Sequence, residues 1–306
     1  MKKRGVLDNV LPSQIMESPD AEALLESILD TLEQMQDTEM MRKTQTCYQE
    51  GDNGLYAQNI DGLGFADWLY DPNSHAGIRK ELVLELSRRI QKSYPVAEPE
   101  YQALVRQAQT ERCEAELIML VRSDESHILY VGTPERFLLA KQWFLSHYVP
   151  KSKFISEAEE CFPHLYFHAD VTSSINTLNV DFDKERPLIV EHLSVLDRFA
   201  TNFLVMRENN IGNREMCEIF QKYSQEFGGR LIECSPQSNR ESAKKLDKKF
   251  DNKDGTKVSI RCECHTKLKW NIKNMDVEKQ DRIYFSPGLS DIQSGKVLIA
   301  YIGSHQ

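Results

Sequence analysis

At 306 residues, with 40% hydrophobic and 28% charged side chains and a net charge of −9, the chain has the composition of an ordinary soluble globular protein and the length of about two domains. No apolar run approaches the roughly 20 residues of a membrane span. The cations that open MKKRGVLDNVLPSQ lead into no apolar segment, so the sequence predicts neither a membrane anchor nor a signal peptide. The charge is uneven: residues 1–205 hold 20 Lys and Arg against 33 Asp and Glu, net −13, whereas residues 206–306 hold 18 against 14, net +4. An acidic body with a basic tail places any polyanion contact in the last third. The seven Cys, an odd number with no C-x-x-C spacing, suit a reducing cytoplasm.

Residues 1–18 read as an extended arm. Ser18, Pro19 and Asp20 give a helix start, and Leu24, Leu25, Ile28, Leu32 and Met35 predict an amphipathic helix over about 20–42. Residues 47–61 are rich in Gly, Asn and Asp and read as loop. A short helix over 65–70 stops at Asp71-Pro72-Asn73, a second amphipathic helix ends before Pro95, and a third covers 98–110. AELIMLV and HILYVG are two strand-like runs that predict a small hairpin. Helices follow at PERFLLAKQWFLSHYV, at 152–161, at 187–206 and at 213–227, the last capped by Gly228-Gly229. After Gly229 the sequence predicts strands at 230–234, 257–270, 282–285 and 296–303, with a cationic turn of helix or a loop at 242–249. The final run, KVLIAYIG, is apolar on both parities, as a covered strand should be. The predicted fold class is α+β. A mainly helical body with a small hairpin spans 1–225, and a compact, antiparallel, β-rich basic domain spans 226–306.

Residues 257–270 carry the chemistry. Val258, Ile260, Cys262, Cys264, Thr266, Leu268 and Trp270 fall on one parity, and Lys257, Ser259, Arg261, Glu263, His265, Lys267 and Lys269 on the other. A period of two is the signature of a half-buried strand. The first face is core, with Cys262 and Cys264 as buried thiols. The second holds one acid, one imidazole and four cations. Neighbours on one face lie about 6.5–7 Å apart, so Glu263, His265 and Lys267 form a line that could straddle one phosphodiester. Metal-free RNA cleavage needs a base for the 2′-hydroxyl, an acid for the leaving oxygen, and cations for the phosphoryl charge. Glu263, His265 and Lys267 supply these types. Arg282 and Tyr284 share a face of the next strand, and His305 follows the last one, where a loop could fold it over the same surface. The row equally suits a solvated, ion-paired or phosphate-binding face without chemistry.

Other site patterns fall short. Glu263 and Lys267 are four apart, not the two that an E-x-K metal-nuclease strand needs. His164 and His168 have i, i+4 spacing, but LYF between them reads as extended and no third ligand is placed, which favours a structural pair over zinc. There is no P-loop, dinucleotide fingerprint or nucleophile elbow. No cofactor and no metal enter the reading.

DRIYF followed by KVLIAYIGSHQ resembles the last two strands of the RelE/ParE toxin group, small RNases that end in an Arg-bearing strand and an apolar strand closing on Gly-His. The resemblance covers about 25 residues, or 50 with the 257–270 strand. It implies that Arg282 contacts RNA phosphate and that His305 takes part in acid–base chemistry. Lys267 and Lys269 match the upstream cations loosely, and the long helical body has no counterpart there. By that analogy the chain is a cytoplasmic bacterial defence effector, a metal-independent RNase; the row Glu263-x-His265-x-Lys267 has no fixed counterpart in the toxins, and it enters the catalytic set, beside His305, from the residues themselves. Arg261, Lys269, Arg282 and Tyr284 would bind substrate. The alternative is a non-enzymatic subunit of a defence complex. Its C-terminal domain would bind RNA or another nucleic acid, and its acidic body a protein partner.

Overall fold

The structure is a computed structural model that describes residues 2–36, 45–75, 77–110, 116–121, 127–238, 240–268 and 280–306. The chain folds as two compact units, Met1–Phe144 and Leu145–Gln306.

The first unit is built on a parallel sheet. Its strands are β1 (Lys2–Leu7), β2 (Gln45–Gln49), β5 (Tyr94–Val96) and β6 (Glu116–Val121), in the order β5-β2-β1-β6. Two residues each at β3 (Asn59–Ile60) and β4 (Leu63–Gly64) make a separate antiparallel pair. Parallel neighbours need crossovers. Helices α1 (Leu11–Met16) and α2 (Ala21–Gln36) lie between β1 and β2, and α3 (Phe65–Tyr70) and α4 (Lys80–Gln91) between β2 and β5. Helix α5 (Glu98–Gln109) joins β5 to β6, and α6 (Pro134–His147) follows. Val6, Leu7, Cys47 and Leu120 are fully buried on the strands, as are Leu25, Leu32, Leu86 and Ile90 on α2 and α4.

The second unit opens with α7 (Lys151–Cys161), β7 (Leu165–Phe167), α8 (Asp170–Ser174), α9 (Phe182–Glu208) and α10 (Asn213–Gly228). Gly229 closes α10 in the left-handed region, φ 65°, as its sequence predicts. Strand β8 (Cys234–Pro236), α11 (Arg240–Lys245), β9 (Asp247–Asp251), β10 (Lys257–Arg261), β11 (Cys264–Lys267), β12 (Arg282–Ser286) and β13 (Val297–Gly303) complete it. Five of these strands form one sheet, β7-β13-β12-β11-β8, while β9 and β10 form a separate hairpin. Phe203 of α9 packs on Phe285 at 5.6 Å between ring centroids, and His192 of α9 meets the Thr266 hydroxyl at 3.0 Å, so α9 covers one sheet face. On the other face Phe250, Cys262 and Ile292 bury Leu298 and Ala300, with Val258 and Ile260 of the hairpin packed alongside. A bulge at Ala300 shifts the register, so that Tyr284 pairs with Tyr301 but Phe285 with Ile299.

Several expectations are corrected. The N-terminal arm is β1 and α1; the cations beside Gly5-Val6-Leu7 disguise a central parallel strand. The loop expected at 47–61 begins inside β2. The hairpin expected around AELIMLV and HILYVG is instead β6, parallel to β1, with a lone parallel bridge from Leu120 to Tyr130. The body is therefore not simply helical. The units divide after Phe144 rather than near 225, because α9 and α10 belong to the C-terminal sheet. That sheet is mixed, since β7 joins β13 in parallel. Finally, the alternating stretch is not one strand: it leaves the hairpin after Arg261 and enters the five-stranded sheet at Cys264. Lys269 and Trp270 lie outside the described residues. Among the described residues no helix is long and apolar enough to cross a membrane.

Gly303 marks a close approach at the end of β13. A Cβ there would lie 2.2 Å from Thr177 Oγ1 and 2.6 Å from the Ser174 carbonyl. Gly303→Ala is expected to lower stability by about 1–3 kcal/mol, the usual cost of overpacking, read as a lower urea midpoint. An unchanged midpoint would show that this contact yields freely.

Candidate functional site

The break in the alternating stretch separates the predicted row into two environments. The period of two survives within β11, where His265 and Lys267 share a face. The register then sets His265 opposite Tyr284 and Lys267 opposite Arg282. The juxtaposition expected from sequence is therefore present. Its exposure is not: His265 is 3% exposed, Arg282 6% and Tyr284 0%.

The surroundings of His265 are closed and mostly polar. Its Nε2 lies 3.3 Å from Ser235 Oγ and its Nδ1 3.5 Å from the Glu263 carbonyl. The Tyr284 ring sits 5.1 Å away. Burial pushes the imidazole from its ordinary 6.5 down to about 3, and the Arg282 guanidinium adds to this; the Glu263 carbonyl opposes it and Lys267 and His305 reinforce it. The ring is thus neutral at pH 7 and shut from solvent. Arg282 Nη1 donates to the Tyr284 hydroxyl at 3.4 Å, while its Nε is buried without a partner among the described residues. The Tyr284 hydroxyl also accepts from the Gln306 backbone at 3.0 Å. Burial raises the Tyr284 pKa. Lys267 is half-buried and pairs with Glu233 at 3.2 Å. His305 is exposed, and close enough to act on His265 electrostatically. Of this face, only Lys267 and His305 reach solvent; His265, Arg282 and Tyr284 are buried.

Two further residues of the row, Arg261 and Glu263, face elsewhere. They line a cleft of about 610 Å³ with Arg207, Asn213, Ile260 and Leu289. Arg261 closes a two-point pair on Asp247, at 2.9 and 3.3 Å. Arg207 Nη2 donates to Asn213 Oδ1 at 3.1 Å, and Asn213 Nδ2 donates to Glu263 Oε1 at 2.8 Å. The Arg207 Nε is buried without a hydrogen-bond partner among the described residues. Arg207 and Asn213 were missed in the sequence, because they come from the α9–α10 corner some fifty residues upstream of Glu263. The local signals there, Asn210 with φ 59° and the start of α10, mark a turn and not a site.

The remaining candidates have ordinary partners. Cys262 and Cys264 are buried thiols, as the alternation predicts. His164 contacts Asp197, Nδ1 to Oδ2 at 3.3 Å, and His168 contacts Asp170 at 3.6 Å. No group of three or more potential metal ligands occurs among the described residues. No protein-family model, curated protein or solved structure matches the chain.

The buried histidines make a pH prediction. Burial also holds His192 down to about 3. In the unfolded chain both rings take a proton near 6.5, but in the folded chain only near 3, so the unfolded state holds more protons in that window. Stability then rises with pH between those values and levels off above the upper one. Each ring removes up to about 1.4 kcal/mol per pH unit on acidification below that value. Urea unfolding from pH 7.5 to 5 should show a shallower pH slope in His265→Gln than in the wild type. Equal slopes would mean that this imidazole titrates normally in the folded protein.

Proposed function

We propose that the second unit is a binding module that grips the phosphate backbone of a single-stranded nucleic acid through the β9–β10 hairpin and the adjoining cleft, without cleaving it. The observation that carries this reading is the concentration of cations on one short segment of an acidic chain. From Arg240 to Lys267 there are nine Lys and Arg against five Asp and Glu, in a protein of net charge −9. Lys244, Lys245, Lys249 and Lys257 are exposed. Lys249 stands opposite Ser259, which lines the cleft, and Lys257 opposite Asp251. Lys244 acts on the Asp247 carboxylate at the cleft edge, whose pKa is held low chiefly by Arg261. Such a strip neutralises successive phosphates and releases counterions.

The enzymatic reading is weaker on the same grounds. A general base must reach the proton it removes, and His265 is walled in by Ser235, Tyr284 and the Glu263 backbone.

The test uses end-labelled single-stranded RNA in EDTA across a range of salt concentrations. Binding should weaken steeply with salt and leave the RNA intact. The Lys244→Ala/Lys249→Ala double variant should bind more weakly, with a log–log salt slope reduced by about 1.4, the value for two phosphate contacts on a single strand. Products ending in 2′,3′-cyclic phosphate, lost in His265→Ala, would replace this reading with an RNase. Salt-insensitive binding, or none, would remove it.

A further inference from the structure

The cleft beside the hairpin holds more than cations. Glu263 Oε1 accepts from Asn213, whose own oxygen accepts from Arg207, so a chain of two hydrogen bonds sets the direction of the carboxylate. Its second oxygen has no hydrogen-bond partner, and no cation pairs with Glu263 among the described residues. Each carboxylate oxygen carries two lone pairs, so both can still accept. This is a half-buried, acceptor-only group held in place by a second layer of side chains. Ile260 and Leu289 line the same cleft and give it apolar wall. Arg207 adds a planar guanidinium with an unsatisfied N–H. The volume, about 610 Å³, lies within the roughly 300–1,000 Å³ of ligand pockets.

The bases differ in how they meet such a carboxylate. Guanine presents N1–H and N2–H₂ side by side, two parallel donors that match its two oxygens. Adenine and cytosine place a ring-nitrogen acceptor beside their amino group, and uracil flanks its one N–H with two carbonyls. Each of these sets an acceptor against an acceptor. Unstacked bases of single strands are read on this edge while their faces rest on flat or apolar side chains.

We infer that the cleft takes one unstacked guanine of the bound single strand, its Watson–Crick edge on Glu263 and its face against Ile260 and Leu289. This rests on the backbone-binding reading above and adds a base preference to it. Asn213 and Arg207 are positioning residues that orient Glu263, and Arg261 at the mouth meets the adjoining phosphate.

Fluorescence anisotropy tests it, using uridine decamers whose central residue is guanosine, inosine, adenosine or uridine. The guanosine oligonucleotide should bind about tenfold or more tighter than the adenosine one, with inosine, which lacks the amino group, between them. Glu263→Gln should erase the preference for guanosine over adenosine, with its urea midpoint as the check on folding. A second arm titrates GMP and AMP directly into the full chain. Equal affinity for all four decamers overturns the guanine site and leaves backbone binding intact. If no decamer binds but GMP is preferred over AMP and loses that preference in Glu263→Gln, the guanine site stands and backbone binding falls. If neither decamers nor mononucleotides bind, both are overturned.

Discussion

The second unit depends on a single competition for one stretch of chain. Val258 and Ile260 pack with Phe250 over Leu298 and Ala300, which requires the hairpin to lie across the face of the sheet. The backbone of β11 is paired on both sides, by β12 and by β8, which requires it to lie within the sheet. No straight strand does both. The chain therefore turns between Arg261 and Cys264, and Cys262 is buried at the turn, with its N–H bonded to the Leu246 carbonyl at 3.1 Å. That turn divides the stretch between two environments. Residues before it face the cleft, and residues after it are held in the sheet.

The electrostatics of the two halves differ for the same reason. In the sheet, the neutral His265 sits among Arg282, Lys267 and His305. A buried imidazole beside cations stays unprotonated, because charging it would cost both hydration and repulsion. Arg282 itself is a buried cation whose side chain, among the described residues, bonds the Tyr284 hydroxyl alone. Beside it, the fully buried Asp281 accepts from Asn179 and Val180, at 2.9 to 3.2 Å, and anchors the segment ahead of α9 to the start of β12. This face works as a polar seam that holds elements together. In the cleft, by contrast, opposite charges lie near water. Arg261 is paired, Glu263 is not, and the exposed lysines stand nearby. Exposed pairs are weak and exchange readily, so this half can trade its internal contacts for those of a ligand.

Much of the local structure was legible. The helices at α9 and α10 and the cap at Gly229 follow from apolar spacing and a glycine at the terminus. Strands β12 and β13 also lie where alternation and continuous apolarity place them. The parallel sheet of the first unit was not legible. Its strands are short, β1 opens on three cations, and its pairings join segments as far apart as Arg4 and Gln45 or Leu7 and Val121. Parallel pairing leaves no turn signal next to the strand, so nothing local announces it.

The site shows the same division. The sequence by itself determined which side chains share a face: His265 with Lys267, and Arg282 with Tyr284, because the pleat of the backbone sends alternate residues to opposite sides. Only the tertiary structure decided whether that face meets water. The groups that close it, Ser235 of β8 and Gln306, come from far along the chain, as do Arg207 and Asn213, which complete the cleft. A local period carries information about direction and none about cover, since cover is supplied by segments that the period does not contain.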